Sequence, residues 1–404
     1  MATTVIVGSG IIGIATAYYL SEHQPGWSIH VVDASTELFA SASGYAGGFV
    51  ARDWFPPELA SLGALSFEEH ERLAKKYDGH EKWAYAKSVT VNYEPPRRKA
   101  NGPGGEDWLR EGGSRVDLVA EKREVEDGNS PPWLRRVKGD AVSVVDNAEG
   151  TAVLDPLRLC QFLLDRCRAA GVRFHHPAVV LNVGPDCHDE LSHVRIGFTD
   201  CSSETEIPAT RVLVCAGCWT PDVLESMFPG SAIDIPVLSL AGHSLVVRNP
   251  GDVGDVYHSL YCSLDDFSPE IYARPNGDIW LGGVNSAIPL PPLATAAKPM
   301  RGPLEKLKAT ARQLIKSESE LEVVRTGLCF RPVTQRGTPY VTRVEDVDLR
   351  QGYRTRKGAD GGVFVAAGHG PWGISLSLGT GKVMAEMMQG RELSADISGL
   401  GYLP

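Results

Sequence analysis

The most constraining stretch lies near the start of the chain. A β-rich apolar run, Thr3-Thr4-Val5-Ile6-Val7, leads directly into Gly8-Ser9-Gly10-Ile11-Ile12-Gly13. The first run has the character of a buried parallel strand. Glycines at this spacing permit a tight turn, close approach of backbone to a pyrophosphate, and close helix–strand packing. The N-terminus of the following helix then directs N–H groups at the phosphates. The helical run IIGIATAYYLSEH stops at Pro25-Gly26, and SIHVVD follows as a second strand ending at Asp33, 20 residues beyond Gly13. A carboxylate there accepts hydrogen bonds from ribose hydroxyls. The segment therefore reads as one βαβ half of a dinucleotide-binding fold. The motif alone does not separate FAD from a nicotinamide cofactor.

Composition narrows the remaining choices. A chain of 404 residues suggests about two to three domains. Its formal net charge of −10 offers no global positive field for nucleic acid or an anionic membrane. The one short basic run, Arg97-Arg98-Lys99, sits in a Pro- and Gly-rich stretch and reads as a solvated loop. No apolar run reaches the ~20 residues of a membrane span. No leader-like segment precedes the first strand, so a cytoplasmic protein is expected. The eight cysteines are scattered along the chain, which argues for reduced thiols over a disulfide framework.

Further along, SASGYAGGFV (41–50) reads as a small-residue loop, and residues 95–151 read as irregular. Asp155-Pro156 opens a helix, PLRLCQFLLDRCRAAG, with Pro at its start and Gly171 just past its end. RVLVCAG (211–217) is strand-like. LSLAGHSLVVR and EIYARPNGDIWLGG read as antiparallel strands, the latter turning at Asn276-Gly277. GVFVAA (362–367) reads as a strand, GHGPWG as a loop, and ISLSLGTGKVMAEMMQG as a helix.

Six stretches, in order, resemble the D-amino-acid oxidase family of flavoproteins, which includes glycine oxidase and monomeric sarcosine oxidase. They are VIVGSGIIG with VVD; SASGYAGGF; LDPLRL; RVLVCAGCW; YARPNGDIWLGG; and CFRPVTQRGTPYV followed by AAGHGPWGISLSLGTGK. Residues 95–150 match poorly. We expect an α/β fold: a Rossmann-like FAD-binding domain (1–75, 150–232, 323–404) and an α+β substrate domain with a mixed or antiparallel sheet (76–149, 233–322).

The resemblance implies that FAD is the cofactor, held by Gly8, Ser9, Gly10, Ile11, Ile12, Gly13 and Asp33. It implies that Ser41, Ser43, Gly44, Ala46, Gly47 and Gly48 line the pyrophosphate and flavin ring, consistent with small residues letting backbone approach a flat ring. Val179, Ala216, Gly217 and Trp219 join the cofactor contacts, as do Gly368, Gly370, Gly373, Ile374 and Ser375. A helix N-terminus behind Gly373, Ile374 and Ser375 would stabilise negative charge gathering at the flavin N1/C2=O edge. Arg331, in Cys329-Phe330-Arg331-Pro332, would bind a substrate carboxylate bidentately and orient the Cα–H; its type alone equally suits a surface ion pair. Cys329 matches by position a cysteine that tethers FAD covalently in sarcosine-oxidase-like members, while a buried inert thiol is the commoner fate of a cysteine.

One departure is that Pro371-Trp372 stands where glycine-oxidase-like members can carry a second arginine. This points to an aromatic wall suited to a larger or less polar amine, or to a packing role for Trp372. Trp372 and His369 join Arg331 as catalytic candidates; His243, Tyr257, Tyr261 and Tyr272 are weaker ones. Cys215-Ala216-Gly217-Cys218 has the CxxC form but lacks a second pair at zinc spacing, and His175-His176 lacks partners, so no metal is expected.

The expected activity is oxidation of a C–N bond in a small amine or amino acid, with hydride passing to flavin N5, an imine formed, and O2 reduced to H2O2. Competing readings are a dehydrogenase of the same fold using another acceptor or a C–O substrate, and a flavin-binding protein without turnover. Action on RNA is disfavoured by the acidic charge.

Overall fold

The computed structural model describes residues 2–96, 115, 123–124, 130–264, 267–349 and 352–402. Thr4–Val7 (β1), Ile11–Ser21 (α1) and Ile29–Val32 (β2) are followed by Ala42–Tyr45 (α2) and Phe49–Ala51 (β3), so the expected small-residue loop also holds a short helix and a strand. Next come Pro57–Tyr77 (α3), Gly79–Trp83 (α4), Ala86–Glu94 (β4), Arg123–Glu124 (β5) and Ala141–Val153 (β6). Pro156–Ala169 (α5), Arg173–His175 (β7), Ala178–Pro185 (β8), Leu191–Phe198 (β9), Glu204–Pro208 (β10) and Arg211–Val214 (β11) lead to Thr220–Met227 (α6). The remainder is Leu238–Arg248 (β12), Tyr257–Cys262 (β13), Glu270–Ala273 (β14), Asp278–Ser286 (β15) and Arg301–Leu314 (α7). Val323–Val333 (β16), Tyr340–Val344 (β17), Gly362–Ala367 (β18) and Ser377–Met388 (α8) complete it. Among the described residues no helix is long and apolar enough to cross a membrane.

The first sheet has the order β17-β18-β11-β1-β2-β7, parallel except for β17 at its edge. All four residues of β1, β2 and β11 are buried, as strands covered on both faces require. Helix α1 is buried almost all round, from Ile11 to Leu20, and small residues let α8 approach it: a Cβ on Gly381 would lie 2.7 Å from the Ala15 Cβ. Helix α5 starts as its sequence dictates. The Asp155 carboxylate accepts from Leu157 N and Arg158 N, Pro156 occupies the first turn, and Gly171 follows the end at φ +86°.

The large sheet runs β16-β12-β15-β14-β13-β4-β6-β3, with β5 pairing β6. Strands β3 and β16 and the end of β6 come from segments expected in the FAD-binding body, so the chain crosses between the sheets at residues 49–51, 150–153 and 323–333. The expectation of irregular chain up to residue 151 is corrected at its end. Residues 141–153 are one long strand, half-exposed over its first part, and the turn-like run Asp146-Asn147-Ala148-Glu149-Gly150 in its middle interrupts the pattern that marks a strand. Residues 95–96 and 130–140 are irregular as expected, Arg123–Glu124 form β5 instead, and 97–114, 116–122 and 125–129 lie outside the described residues. β14 and β15 form the expected hairpin, with Gly277 at φ +81° in its turn. β8, β9 and β10 form a third, small antiparallel sheet.

Candidate active site

The glycine turn is built by close approach. A Cβ on Gly13 would lie 2.0 Å from the Gly8 carbonyl oxygen, and Gly8, at φ +110°, would place one 2.5 Å from the Cys215 carbonyl oxygen. Asp33 follows β2 and is tied back to this turn. Its Oδ2 accepts from Ser9 N at 2.8 Å and Ser9 Oγ at 2.6 Å, and its Oδ1 accepts from Ser35 N at 2.9 Å. Each carboxylate oxygen offers two lone-pair directions, so capacity remains on Oδ1 for a ribose hydroxyl.

Residues 41–48 are held from three sides. Ser43 Oγ accepts from Ile11 N at 2.9 Å, and Ser41 Oγ accepts from Phe330 N at 3.3 Å. From the large sheet, Arg274 Nη2 donates to the Gly47 carbonyl at 2.7 Å, and Trp280 Nε1 donates to the Tyr45 carbonyl at 3.2 Å. Gly47 rests on the Tyr272 ring, where a Cβ would come within 2.4 Å; Tyr272 is itself stacked on Trp280 at 5.3 Å. Gly44 packs on the Phe39 carbonyl, its missing Cβ only 2.3 Å away.

The loop before the final helix differs from expectation. Gly370–Trp372 is a 3-10 turn and α8 starts at Ser377, later than the expected start behind Gly373. The Ser375 hydroxyl turns away, accepting from Ala51 N at 2.9 Å. The Ile374 carbonyl faces His70 Nε2 at 3.0 Å. Any stabilisation of charge at this edge rests on local backbone dipoles, with less help from a helix axis.

These segments enclose a cavity of about 770 Å³, in the range of small-molecule and cofactor sites. It is lined by Gly8, Gly10, Ile11, Ile12 and Asp33, by Ser41, Ser43, Ala46, Gly47 and Gly48, and by Val179, Ala216, Gly217 and Trp219. Gly370, Gly373, Ile374, His369, Cys329 and Arg331 complete the expected residues that reach it. Ser9, Gly13, Gly44, Gly368, Ser375 and Trp372 do not line it. Ser9 holds Asp33, Gly13 and Gly44 give the turns room, Gly368 turns the chain at φ +82°, and Ser375 ties β3. Trp372 is corrected from a direct contact to a packing one: its ring sits edge-on to Phe55 and under Arg115. Of the weaker candidates, Tyr272 and His243 line the cavity. Tyr261 lies behind Tyr272, and Tyr257 meets His80 at the surface.

Arg331 is the cavity cation that the sequence singled out. Its guanidinium folds over Gly242, where a Cβ would meet Nη2 at 2.2 Å, and Nη1 donates to Asn285 Oδ1 at 2.7 Å. The histidines are poor proton carriers. Burial pulls His369 down to about 3, with Nε2 3.1 Å from Thr380 Oγ1. Burial and then the Arg331 charge lower His243, whose Nε2 accepts from Met300 N. Burial raises the Cys329 thiol, against a smaller lowering by Arg331. Cys215 and Cys218 are both buried free thiols, pushed up chiefly by burial.

Sequence reasoning missed three charged residues on the cavity, Arg115, Asp222 and Glu270. Arg115 lies 4.4 Å over the Trp372 ring and pairs with Glu270, Nε to Oε1 3.2 Å. Arg115 falls in the stretch that matched poorly. Glu270 begins a strand whose other signals drew attention to its turn.

A glycine turn joined to a parallel sheet, with a large cavity running to a second sheet, defines a dinucleotide-dependent enzyme class. The chain belongs to the DAO family of FAD-dependent oxidoreductases, whose model matches residues 3–387. It is similar to "Putative oxidoreductase C1F5.03c" of Schizosaccharomyces pombe, 26% identical over 97% of this chain and 96% of that protein. "Putative oxidoreductase TDA3" of Saccharomyces cerevisiae is 24% identical over 98% and 93%. The fold of this chain is similar to those of glycine oxidase from Geobacillus kaustophilus (TM-score 0.74, 18% identity, 99% and 98% covered) and L-proline dehydrogenase from P. horikoshii (TM-score 0.73, 13% identity, 99% and 96% covered).

Proposed function

We propose that the chain is an FAD-dependent amine or amino-acid oxidase acting on a CH–NH or CH–NH2 group. The observation that carries this reading is the Arg331 guanidinium on the cavity wall, steadied by Asn285, with Gly242 leaving room beneath it. A planar fork with a neutral partner suits a substrate carboxylate.

The cavity fits FAD by its shape: glycine backbone where a Cβ would collide, and the Asp33 carboxylate at the end of the second strand. Gly8, Gly10 and Asp33 would hold the nucleotide end, and Ser43, Ala46, Gly47 and Gly48 the pyrophosphate and ring. When bound, FAD supplies the hydride acceptor for oxidising a C–N bond to an imine, with O2 reduced to hydrogen peroxide. The chain's own work is positional. Arg331 anchors a carboxylate, Tyr272 and Trp280 back the loop beside the ring, and buried neutral His369 adds no charge of its own to the cavity. Deprotonation of the amine falls to solvent. Cys329 lines the same cavity and is the candidate for a covalent flavin link. Eight free cysteines agree with a reducing compartment such as the cytoplasm.

The test is an anaerobic screen of amines and amino acids, following loss of flavin absorbance near about 450 nm. Bleaching by at least one amine, followed by recovery and peroxide formation on admitting O2, is expected. Recovery only with an artificial acceptor would identify a dehydrogenase, and no bleaching by any amine would overturn the proposal. Acid precipitation in the same session tests Cys329, since covalent flavin stays with the pellet.

A further inference from the structure

The cavity carries two cationic side chains in different electrical states. Among the described residues no carboxylate pairs with Arg331; its partner is the neutral Asn285. Arg115 instead faces Glu270, with Nε 3.2 Å from Oε1 and Nη2 3.3 Å from Oε2. Their side chains are 7% and 14% exposed. Tyr272 donates to the same carboxylate at 2.7 Å, and Tyr261 lies 3.1 Å behind it. The Arg115 guanidinium is also spread over Trp372, with Phe49 5.9 Å away. Strand register relates the two stations: Glu270 stands opposite Gly282, and Asn285 is three residues farther along β15, about 10 Å at the usual rise. Both stations border the same cavity.

We infer that the Arg115–Glu270 pair is a charge selector that restricts the amino-acid substrate to one with an uncharged, preferably flat side chain. The inference rests on the proposed role of Arg331. One net positive charge at Arg331 takes the carboxylate. The second station is neutral as a pair and bordered by aromatic faces, so a side chain reaching it gains apolar contact. A second carboxylate meets Glu270 there, and an added cation meets Arg115. With both side chains this buried, either encounter costs more than it would in water.

The selector is tested by calorimetry on the FAD-loaded protein with three carboxylates that lack an α-amine and so cannot turn over. They are 3-phenylpropanoate, 3-(4-carboxyphenyl)propanoate and 3-(4-aminomethylphenyl)propanoate. The wild-type protein should bind the first at least about tenfold more tightly than either other, the scale of one unpaired charge in a partly buried site. E270Q should shift the carboxy/parent ratio about tenfold toward the dicarboxylate, and R115M should shift the aminomethyl/parent ratio about tenfold toward the ammonium-bearing probe. The double variant R115M/E270Q, neutral again, should restore the wild-type order. It also guards against a single variant that fails to fold. Ratios unchanged within about twofold in the variants, or a wild-type preference for a charged probe, would overturn the selector while leaving Arg331 as an anchor. Failure of the wild type to bind 3-phenylpropanoate, with R331M no different, would instead remove the anchor and the selector with it.

Discussion

Arg274 Nη2 donates to the Gly47 carbonyl oxygen at 2.7 Å, so a residue leaving β14 fixes the backbone of a loop that borders the cavity. The arginine is 1% exposed, and its counter-charge is Asp155 at 3.7 Å, the residue that also caps α5. One guanidinium thus joins the large sheet, the cavity loop and a helix of the first sheet. Arg274→Met should lower stability by about 3 kcal/mol, as for breaking a buried pair. It should also weaken FAD binding about tenfold or more. Thermal melts and fluorescence titration with FAD check both.

Gly47 can be tested directly. Its backbone has no left-handed φ, so the only obstacle to a side chain is the Tyr272 ring, wedged against Trp280. Gly47→Ala should cost about 2–3 kcal/mol, as overpacking does, and should reduce FAD retention. Gly337 makes the contrast: it sits at φ +73° with nothing within 4 Å of a Cβ. Gly337→Ala should cost about 1 kcal/mol of backbone strain and leave FAD affinity unchanged.

Acid should destabilise the protein through its buried histidines. Burial, partly offset by the Ile374 carbonyl, pulls His70 down to about 4, and burial pulls His369 to about 3. The unfolded chain binds a proton on each near pH 6.5 and the folded chain does not, so stability is full above that pH. It falls as pH drops toward the folded values, by about 2 kcal/mol per histidine at pH 5. Melting temperatures from pH 7.5 to 4.5 should decline, and less steeply in His70→Gln. An equal slope in that variant would contradict the assignment.

Arg331 separates carboxylate recognition from chemistry. Arg331→Met should raise KM for carboxylate-bearing substrates about a hundredfold, the loss of a charge-assisted bidentate contact, while amines without a carboxylate keep theirs. Arg331→Lys should recover only part, because an ammonium cannot offer two parallel donors. Steady-state kinetics with a paired amino acid and amine decide.

Legibility in the sequence followed locality. The βαβ unit, the α5 cap at Asp155-Pro156 and the Asn276-Gly277 hairpin were readable because each depends on residues a few positions apart. The cavity residues 41–48 and Arg331 were readable through the family resemblance. β6 was not, since the turn-like run from Asp146 to Gly150 interrupts it and its strand form depends on pairing with β4. Nor was the Arg115–Glu270 pair, which joins residues 155 positions apart. The late start of α8 escaped notice because glycines and serines from 373 to 379 suit a turn and a helix equally. Trp372 was seen, but its composition could not say that it faces an arginine.

The stack of Gly47 on Tyr272 on Trp280 bears on how such a cavity can change its diet over generations. Those rings support the backbone that the cofactor would lie against, so altering them disturbs the holder along with the guest. Arg115, Asn285 and Arg331 reach the same space without bearing that weight, whereas Glu270 holds the Tyr272 hydroxyl. New preferences for what is oxidised should therefore accumulate first at these three positions, while the stack stays aromatic and small.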